Sequence, residues 1–258
     1  MRTLTAVIVL LLLSRGIQAQ LPPYEQVLAP FDTMSFGGLL GTQWSAELWI
    51  RNDSDQSVNL FPERCFFIGL EHPCSFRYDV PARSTVLANL ANTTADSPGV
   101  FLYVPRDRVR EVHFNLRIRE LTKAADSYGT QIPVVRVRDF PTGTATLLNV
   151  PLQFGARLNL RVYTPDDFSS EFVVRLFADP SGLPLGERKF PGPRPRPTDP
   201  IFPMLFAPDI NLSAAFAGLV ADRVRVVVER TFPAGQPFWP MLTISNNRTN
   251  SVTVVTPQ

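Results

Sequence analysis

The sequence is poor in the residues that most metal sites and many enzymes depend on. It holds two histidines and two cysteines among 258 residues, whereas a zinc site usually draws on several such ligands. It also contains no G-x-S-x-G elbow, no glycine-rich phosphate loop and no H-E-x-x-H motif. We therefore expect no cofactor, no metal and no catalysis. Only the glycosidases, which need two carboxylates, stay open as an enzyme class, because 23 acidic residues supply many pairs.

An excess of charge of one sign is also missing. Basic residues number 25 and acidic residues 23, and without residues 1–19 the two counts are equal at 23. A nucleic-acid partner requires a concentrated basic face. We therefore expect no nucleic-acid partner.

The apolar run at the N-terminus is too short for a membrane helix. Met1 and Arg2 precede an apolar run over residues 4–13, and small residues lead to Ala19. This order is typical of a secretory signal peptide, while a membrane-spanning helix needs about 20 apolar residues. We expect a signal peptide over residues 1–19, no membrane span in the mature chain, and an extracytoplasmic location, secreted or periplasmic.

Apolar and polar residues alternate with a period of two in many segments. Val112, Phe114, Leu116 and Ile118 alternate with polar residues, and the same pattern occurs at 46–50, 158–162, 172–176 and 224–228. Such alternation indicates antiparallel strands with one buried and one solvated face. Short turn-forming segments and 25 prolines separate these runs. We predict an all-β protein with seven or eight strands on each side of residue 140.

A faint internal repeat suggests two domains. AELWIR at residues 46–51 resembles ARLNLR at 156–161, and DRVR occurs at both 107–110 and 222–225. The two landmarks begin 61 residues apart in the first copy and 66 in the second. We predict one domain over residues 20–140 and another over 141–258.

The strand-turn-strand run at residues 45–60, with Asn-Asp-Ser-Asp at its bend, resembles the immunoglobulin-like modules of bacterial secreted and surface proteins. The layout of the whole chain, which ends in a strand-like segment at 242–257, is similar to that of uncharacterised exported bacterial proteins. The resemblance implies two tandem antiparallel immunoglobulin-like β-sandwich domains after a cleaved signal peptide. It implies no catalytic residues.

Two loops allow more than one interpretation. Asp53 and Asp55 fit a solvated turn, and the alternative is a calcium loop, although the full calcium-binding spacing is missing. The proline-rich residues 191–203 predict an extended exposed loop, and the alternative is a segment that docks on an aromatic groove.

Trp49 is the candidate binding residue. It shares its phase with the polar Glu47 and Arg51, so the pattern that buries Leu48 and Ile50 places the indole outside the core. Either another segment covers the ring, or the ring is a platform for a sugar or a protein partner. We expect a non-catalytic secreted or cell-surface interaction or structural module with a protein or glycan partner. The alternatives are a carbohydrate-binding module and a two-domain periplasmic chaperone.

Cys65 and Cys74 are predicted to form a disulfide, because they are separated by eight residues in a chain expected to be exported. Two free thiols or a redox pair are the alternatives, and a redox pair would lack the C-x-x-C spacing. The bond would stabilise the fold by about 2.5 to 3 kcal/mol in the chain-entropy model.

Alkylation of the exported protein without reductant, followed by mass spectrometry, should label neither cysteine. Two labelled thiols would refute the prediction.

Overall fold

A computed structural model describes residues 23–31, 36–37, 43–62, 77–88, 99–122, 128–152, 155–165, 170–192, 210–219, 221–249 and 251–258. These residues are nearly all β-structure, which confirms the predicted class. No helix within them is both long and apolar enough to cross a membrane. The predicted signal peptide, Cys65, Cys74 and residues 193–203 of the proline-rich segment lie outside the described ranges.

Ten strands lie before residue 140 in the described ranges and form two antiparallel sheets. One sheet has the order β10-β1-β7-β4-β5, and the other has the order β2-β3-β8-β9 with β6 also paired to β3. A 3₁₀ turn, Val137–Asp139, follows β10. The strands are β1 (Tyr24–Ala29), β2 (Phe36–Gly37), β3 (Gln43–Asn52), β4 (Val58–Pro62), β5 (Tyr78–Val80), β6 (Thr85–Ala88), β7 (Val100–Pro105), β8 (Val112–Glu120), β9 (Thr130–Ile132) and β10 (Val135–Arg136).

Eight further strands form two more antiparallel sheets. Their orders are β11-β16-β13-β14 and β15-β12-β17-β18, and a short helix, α1 (Leu212–Ala215), follows β15. The strands are β11 (Thr144–Leu152), β12 (Ala156–Tyr163), β13 (Glu171–Ala178), β14 (Pro184–Pro191), β15 (Ile210–Asn211), β16 (Ala221–Phe232), β17 (Trp239–Asn246) and β18 (Val252–Val255). None of the described strands on one side of residue 140 pairs with a strand on the other side.

The two halves share a strand order. The order β1-β7-β4-β5 of the first half corresponds to β11-β16-β13-β14 of the second, and β3-β8-β9 corresponds to β12-β17-β18. The similar hexapeptides at 46–51 and 156–161 therefore lie in equivalent strands, β3 and β12. The division of the chain into two domains stays a prediction that this shared order favours.

The prediction that the two DRVR segments occupy equivalent positions in the two halves is wrong. Residues 107–110 form a turn before β8, whereas residues 222–225 lie within β16, which is the counterpart of β7. The same four letters thus occupy different places in the two halves. A four-residue segment of charged residues and valine is compatible with both a solvated turn and an alternating strand. Its recurrence therefore does not identify equivalent positions.

The predicted alternation is confirmed on each strand that it was based on. Leu48 and Ile50 of β3 are fully buried, and Leu116 of β8 is fully buried with them. One apolar cluster fills the space between the first two sheets, and another fills the space between the second two. In the second half the inward residues include Leu158, Leu160, Val162, Phe172, Val174, Leu176, Val224, Val226 and Val228.

The first apolar cluster extends into the second half of the chain. Tyr163, Trp239 and Met241 belong to it, although their strands β12 and β17 are part of the second half. The Trp239 and Phe140 rings lie 5.7 Å apart. The buried Tyr163 hydroxyl donates a hydrogen bond of 2.6 Å to the Pro30 carbonyl. The two halves are therefore held together by core-like packing.

A buried carboxylate fixes the segment between the halves. Glu25 of β1 is 4% exposed, and its Oε1 lies 3.2 Å from the Nε of Arg138 and 3.7 Å from the Nε of Arg136. Because the Glu25 carboxylate is desolvated, the loss of both arginines would leave a buried unpaired charge, which is costly. Glu25 thus ties β10 and the following 3₁₀ turn to β1.

Tyr163→Phe should test the contact between the two halves, which we call the junction. The substitution keeps the ring and leaves the buried Pro30 carbonyl without its donor, which costs about 1 to 3 kcal/mol. Urea unfolding should show this loss of stability. Tyr128→Phe is the matched control, because Tyr128 is 84% exposed and its variant should unfold as the wild type does. Equal stability of both variants would contradict the junction described above.

Candidate functional site

The outward side chains of β6, β3, β8 and β9 form one surface, which we call the Trp49 face. Residues opposite one another in adjacent strands point to the same side of a sheet. Trp49 lies between Leu87 of β6 and Asn115 of β8. The Trp49 face comprises Glu47, Trp49, Arg51, Leu87, His113, Asn115, Arg117, Arg119 and Gln131.

The structure places Trp49 on the side of β3 opposite to the core, as the alternation predicts. Its side chain is half-buried, while its neighbours Leu48 and Ile50 are fully buried on the inner side. Among the residues that the structure describes, the buried indole Nε1 has no hydrogen-bond acceptor. The Nε1 of Trp239, which packs in the first core, has no acceptor among the described residues either.

Leu87 adds an apolar side chain beside the indole. It is 53% exposed, whereas the neighbouring Ala88 on the same strand is buried. Trp49 and Leu87 are register partners, and directly opposed side chains on one face of an antiparallel pair are within contact reach. The Trp49 face therefore has an apolar centre that is open to solvent on the Leu87 side.

Ion pairs flank this apolar centre. Arg119 lies 2.5 Å from Glu47, and Arg51 lies 2.7 Å from Asp53 at the end of β3. Arg117, opposite Glu47 in the register, donates to the backbone carbonyl of Tyr128 at 3.3 Å. The acidic groups of the face are thus each held by an arginine.

The turn after β3 is built on Asn52, which is fully buried. Its Nδ2 donates to the carbonyls of Gln56, Val80 and Pro81 at 2.8 to 3.1 Å. Its Oδ1 accepts hydrogen bonds from the backbone N–H and the hydroxyl of Ser54. These contacts satisfy a buried polar side chain and fix the chain direction at the end of β3.

The acidic residues of the turn make ion pairs. Asp53 accepts from Arg51 and lies 3.1 Å from His113 Nε2, while Asp55 lies 2.7 Å from Arg83. The hydrogen bond from Arg51 lowers the pKa of Asp53. Burial opposes this effect, and the charges of Arg51, His113 and Arg83 each lower the pKa further. The contacts support the interpretation as a structural turn.

Other candidate positions are not brought together with Trp49. Within the described ranges, no group of three or more His, Cys, Asp or Glu side chains is arranged to hold a metal ion. His113 lies at the margin of the Trp49 face beside Asp53. The predicted Cys65–Cys74 bond lies outside the described residues.

Sequence reasoning missed Leu87. It places Arg117 and Arg119 together on a strand face, as a solvated face or an anion site, without showing which of them binds Glu47. Residues 85–88 read Thr-Val-Leu-Ala, so three consecutive apolar residues hide which of them points outward. Arg117 has the same alternating context as Arg119, and only the register shows that Glu47 pairs with Arg119. The sequence therefore shows neither that Leu87 is exposed nor which arginine binds Glu47.

The comparisons with known proteins return no relative. No family model, no curated protein and no solved structure matches the chain. A function can therefore be inferred only from the site itself.

The lowered pKa of Asp53 predicts an acid-dependent loss of stability. Because its folded-state pKa lies below the ordinary value of 3.8, the unfolded chain binds the proton more readily, and the contribution is present above about pH 5. It is lost as the pH falls below about 3.8 through the folded pKa. Urea unfolding of wild type and Asp53→Asn across this range should show a steeper acid loss for wild type. Parallel curves down to about pH 2 would contradict the prediction.

Proposed function

We propose that this chain is a non-catalytic exported protein, secreted or on the cell surface, that binds a protein partner through the Trp49 face. The observation that carries the proposal is the pair of Trp49 and Leu87 on an outward sheet face, with a half-buried indole beside a 53% exposed leucine. Tryptophan and arginine are enriched among the residues that dominate binding energy in protein interfaces. The charged rim around an apolar centre is also typical of such surfaces.

The proposal includes two tandem immunoglobulin-like domains, over residues 20–140 and 141–258, after a signal peptide at 1–19. An immunoglobulin domain places strands B, E and D side by side in one sheet and strands C, F and G in the other. The orders β1-β7-β4 and β3-β8-β9 match that arrangement, and so do β11-β16-β13 and β12-β17-β18. This agreement supports the immunoglobulin-like assignment and the resemblance to exported bacterial modules.

A carbohydrate-binding module has less support. Such a module would show several solvent-facing aromatic rings in a line on one sheet. Among the described outward positions of β6, β3, β8 and β9, Trp49 has an aliphatic neighbour, Leu87, and a polar neighbour, Asn115. An exposed leucine suits an apolar side chain of a protein better than a sugar ring, which stacks on aromatic groups.

A periplasmic chaperone has less support for a different reason. It would need a basic anchor in a cleft between the domains and an exposed apolar edge strand. At the junction, Tyr163, Trp239 and Met241 pack into the first core. The long edge strand β14 carries Glu187, Arg188 and Lys189, and charged residues protect an edge from pairing.

Trp49→Ala should separate binding from stability. If the ring is a binding anchor, capture of a partner from the extracytoplasmic fraction of the native cells should fall about 30-fold, which corresponds to about 2 kcal/mol. The thermal midpoint should change little, because the ring is half-buried and lies on the side of β3 opposite to the core. Capture is measured by quantitative pull-down, and the midpoint by circular dichroism.

Leu183→Ala is the matched control for Trp49→Ala. Leu183 is 63% exposed and lies in the second half of the chain, so its removal should leave capture unchanged. If Trp49→Ala also leaves capture unchanged, the proposed binding face is wrong. A large fall in the thermal midpoint, with truncation of a buried aromatic costing about 3 to 5 kcal/mol, would show instead that the ring is structural.

A further inference from the structure

Among the described residues of the Trp49 face, arginines outnumber the carboxylates that contact them. Three arginines, Arg51, Arg117 and Arg119, project from its strands, and the carboxylates that contact them are those of Glu47 and Asp53. Each carboxylate forms an ion pair with one arginine: Glu47 lies 2.5 Å from Arg119, and Asp53 lies 2.7 Å from Arg51. Within the described residues, Arg117 contacts no carboxylate, and its one hydrogen bond is to the Tyr128 backbone carbonyl.

The outward face of the second half shows how the same type of arginine is neutralised in this protein. Arg175 of β13 places its Nε 2.6 Å from Glu187 and its Nη1 2.5 Å from Glu229. Both carboxylates come from the adjacent strands β14 and β16. Arg117 also lies between two strands, but its register partners there are Glu47, which is bound to Arg119, and Gln131.

Arg117 is also next to the apolar centre of the face. It is two residues along β8 from Asn115, the register partner of Trp49. Diagonal neighbours across an antiparallel pair are about 7 to 8 Å apart, within reach of a long side chain. A single bound segment can therefore contact Trp49, Leu87 and Arg117 together.

We propose that the Trp49 face binds an acidic polypeptide segment, with an apolar side chain packed on Trp49 and Leu87 and a carboxylate paired with Arg117. The inference depends on the proposed function and specifies its partner. Charge complementarity selects the acid, because Arg117 is the arginine of the face without a carboxylate in the described structure. A guanidinium binds a carboxylate in a bidentate geometry, so the pair adds specificity as well as affinity.

The test is a selection from a phage-displayed library of random 12-residue peptides on the full mature chain. Peptides that also bind the Trp49→Ala variant are removed, so that only those dependent on Trp49 are sequenced. These peptides should be enriched in Asp and Glu next to a large apolar residue. Their affinity should fall at least tenfold between about 0.05 and 0.5 M salt, because salt screens exposed charges.

Substitution of Arg117 tests the ion pair directly. Arg117→Gln should weaken the selected peptides about tenfold. Arg117→Lys should weaken them by a smaller factor, because lysine keeps the charge but loses the bidentate geometry. Arg248→Gln is the control, since Arg248 is exposed on a turn before β18 and its loss removes the same charge elsewhere. Circular dichroism verifies that each variant is folded.

The outcomes separate the inference from the proposed function. Trp49-dependent peptides that are neutral or basic, or that bind Arg117→Gln as well as wild type, overturn the acidic partner and leave the protein-binding function intact. Trp49-dependent binding on a glycan array without any Trp49-dependent peptide overturns both in favour of a carbohydrate ligand. Absence of any Trp49-dependent binding overturns both as well.

Discussion

The period of two residues along a β-strand is the constraint on which this protein depends. It sends Leu48 and Ile50 of β3 into a core without solvent and leaves Glu47, Trp49 and Arg51 on the other side. A slip by one residue would expose the core and bury charged groups. The same constraint therefore builds the hydrophobic core and assembles the Trp49 face. The face is a consequence of the core, because its positions are set by the register that packs the inner side chains.

Buried polar contacts determine how the strands connect. Asn52 uses its amide to hold the turn after β3, Glu25 holds the segment between the halves, and Tyr163 joins β12 to the Pro30 carbonyl. Buried polar groups are costly unless they are paired, so each of these contacts favours a single arrangement of the backbone. The core provides the free energy of folding, whereas these contacts select the connections.

The alternation of polar and apolar residues makes the strands predictable from the sequence. Contacts between residues that are distant in the sequence are not predictable in this way. The strands around Leu48, Leu116 and Val226 were predicted because polar and apolar residues alternate there, and Trp49 was placed outside the core for the same reason. The exposure of Leu87 was hidden by its apolar neighbours. The pairing of Glu47 with Arg119 and not Arg117 depends on register and side-chain reach. The packing of Trp239 into the first core likewise depends on how the halves meet.

The proposed function requires that a partner covers the outward face of β3 and β6. Hydroxyl-radical footprinting with mass spectrometry measures this directly on the mature chain, free and bound to its captured partner. We expect Trp49 and Leu87 to react in the free chain and to be protected in the complex, while the buried Leu48 is unreactive in both. Unchanged reactivity of Trp49 and Leu87 in the complex, with protection elsewhere on the chain, would contradict it.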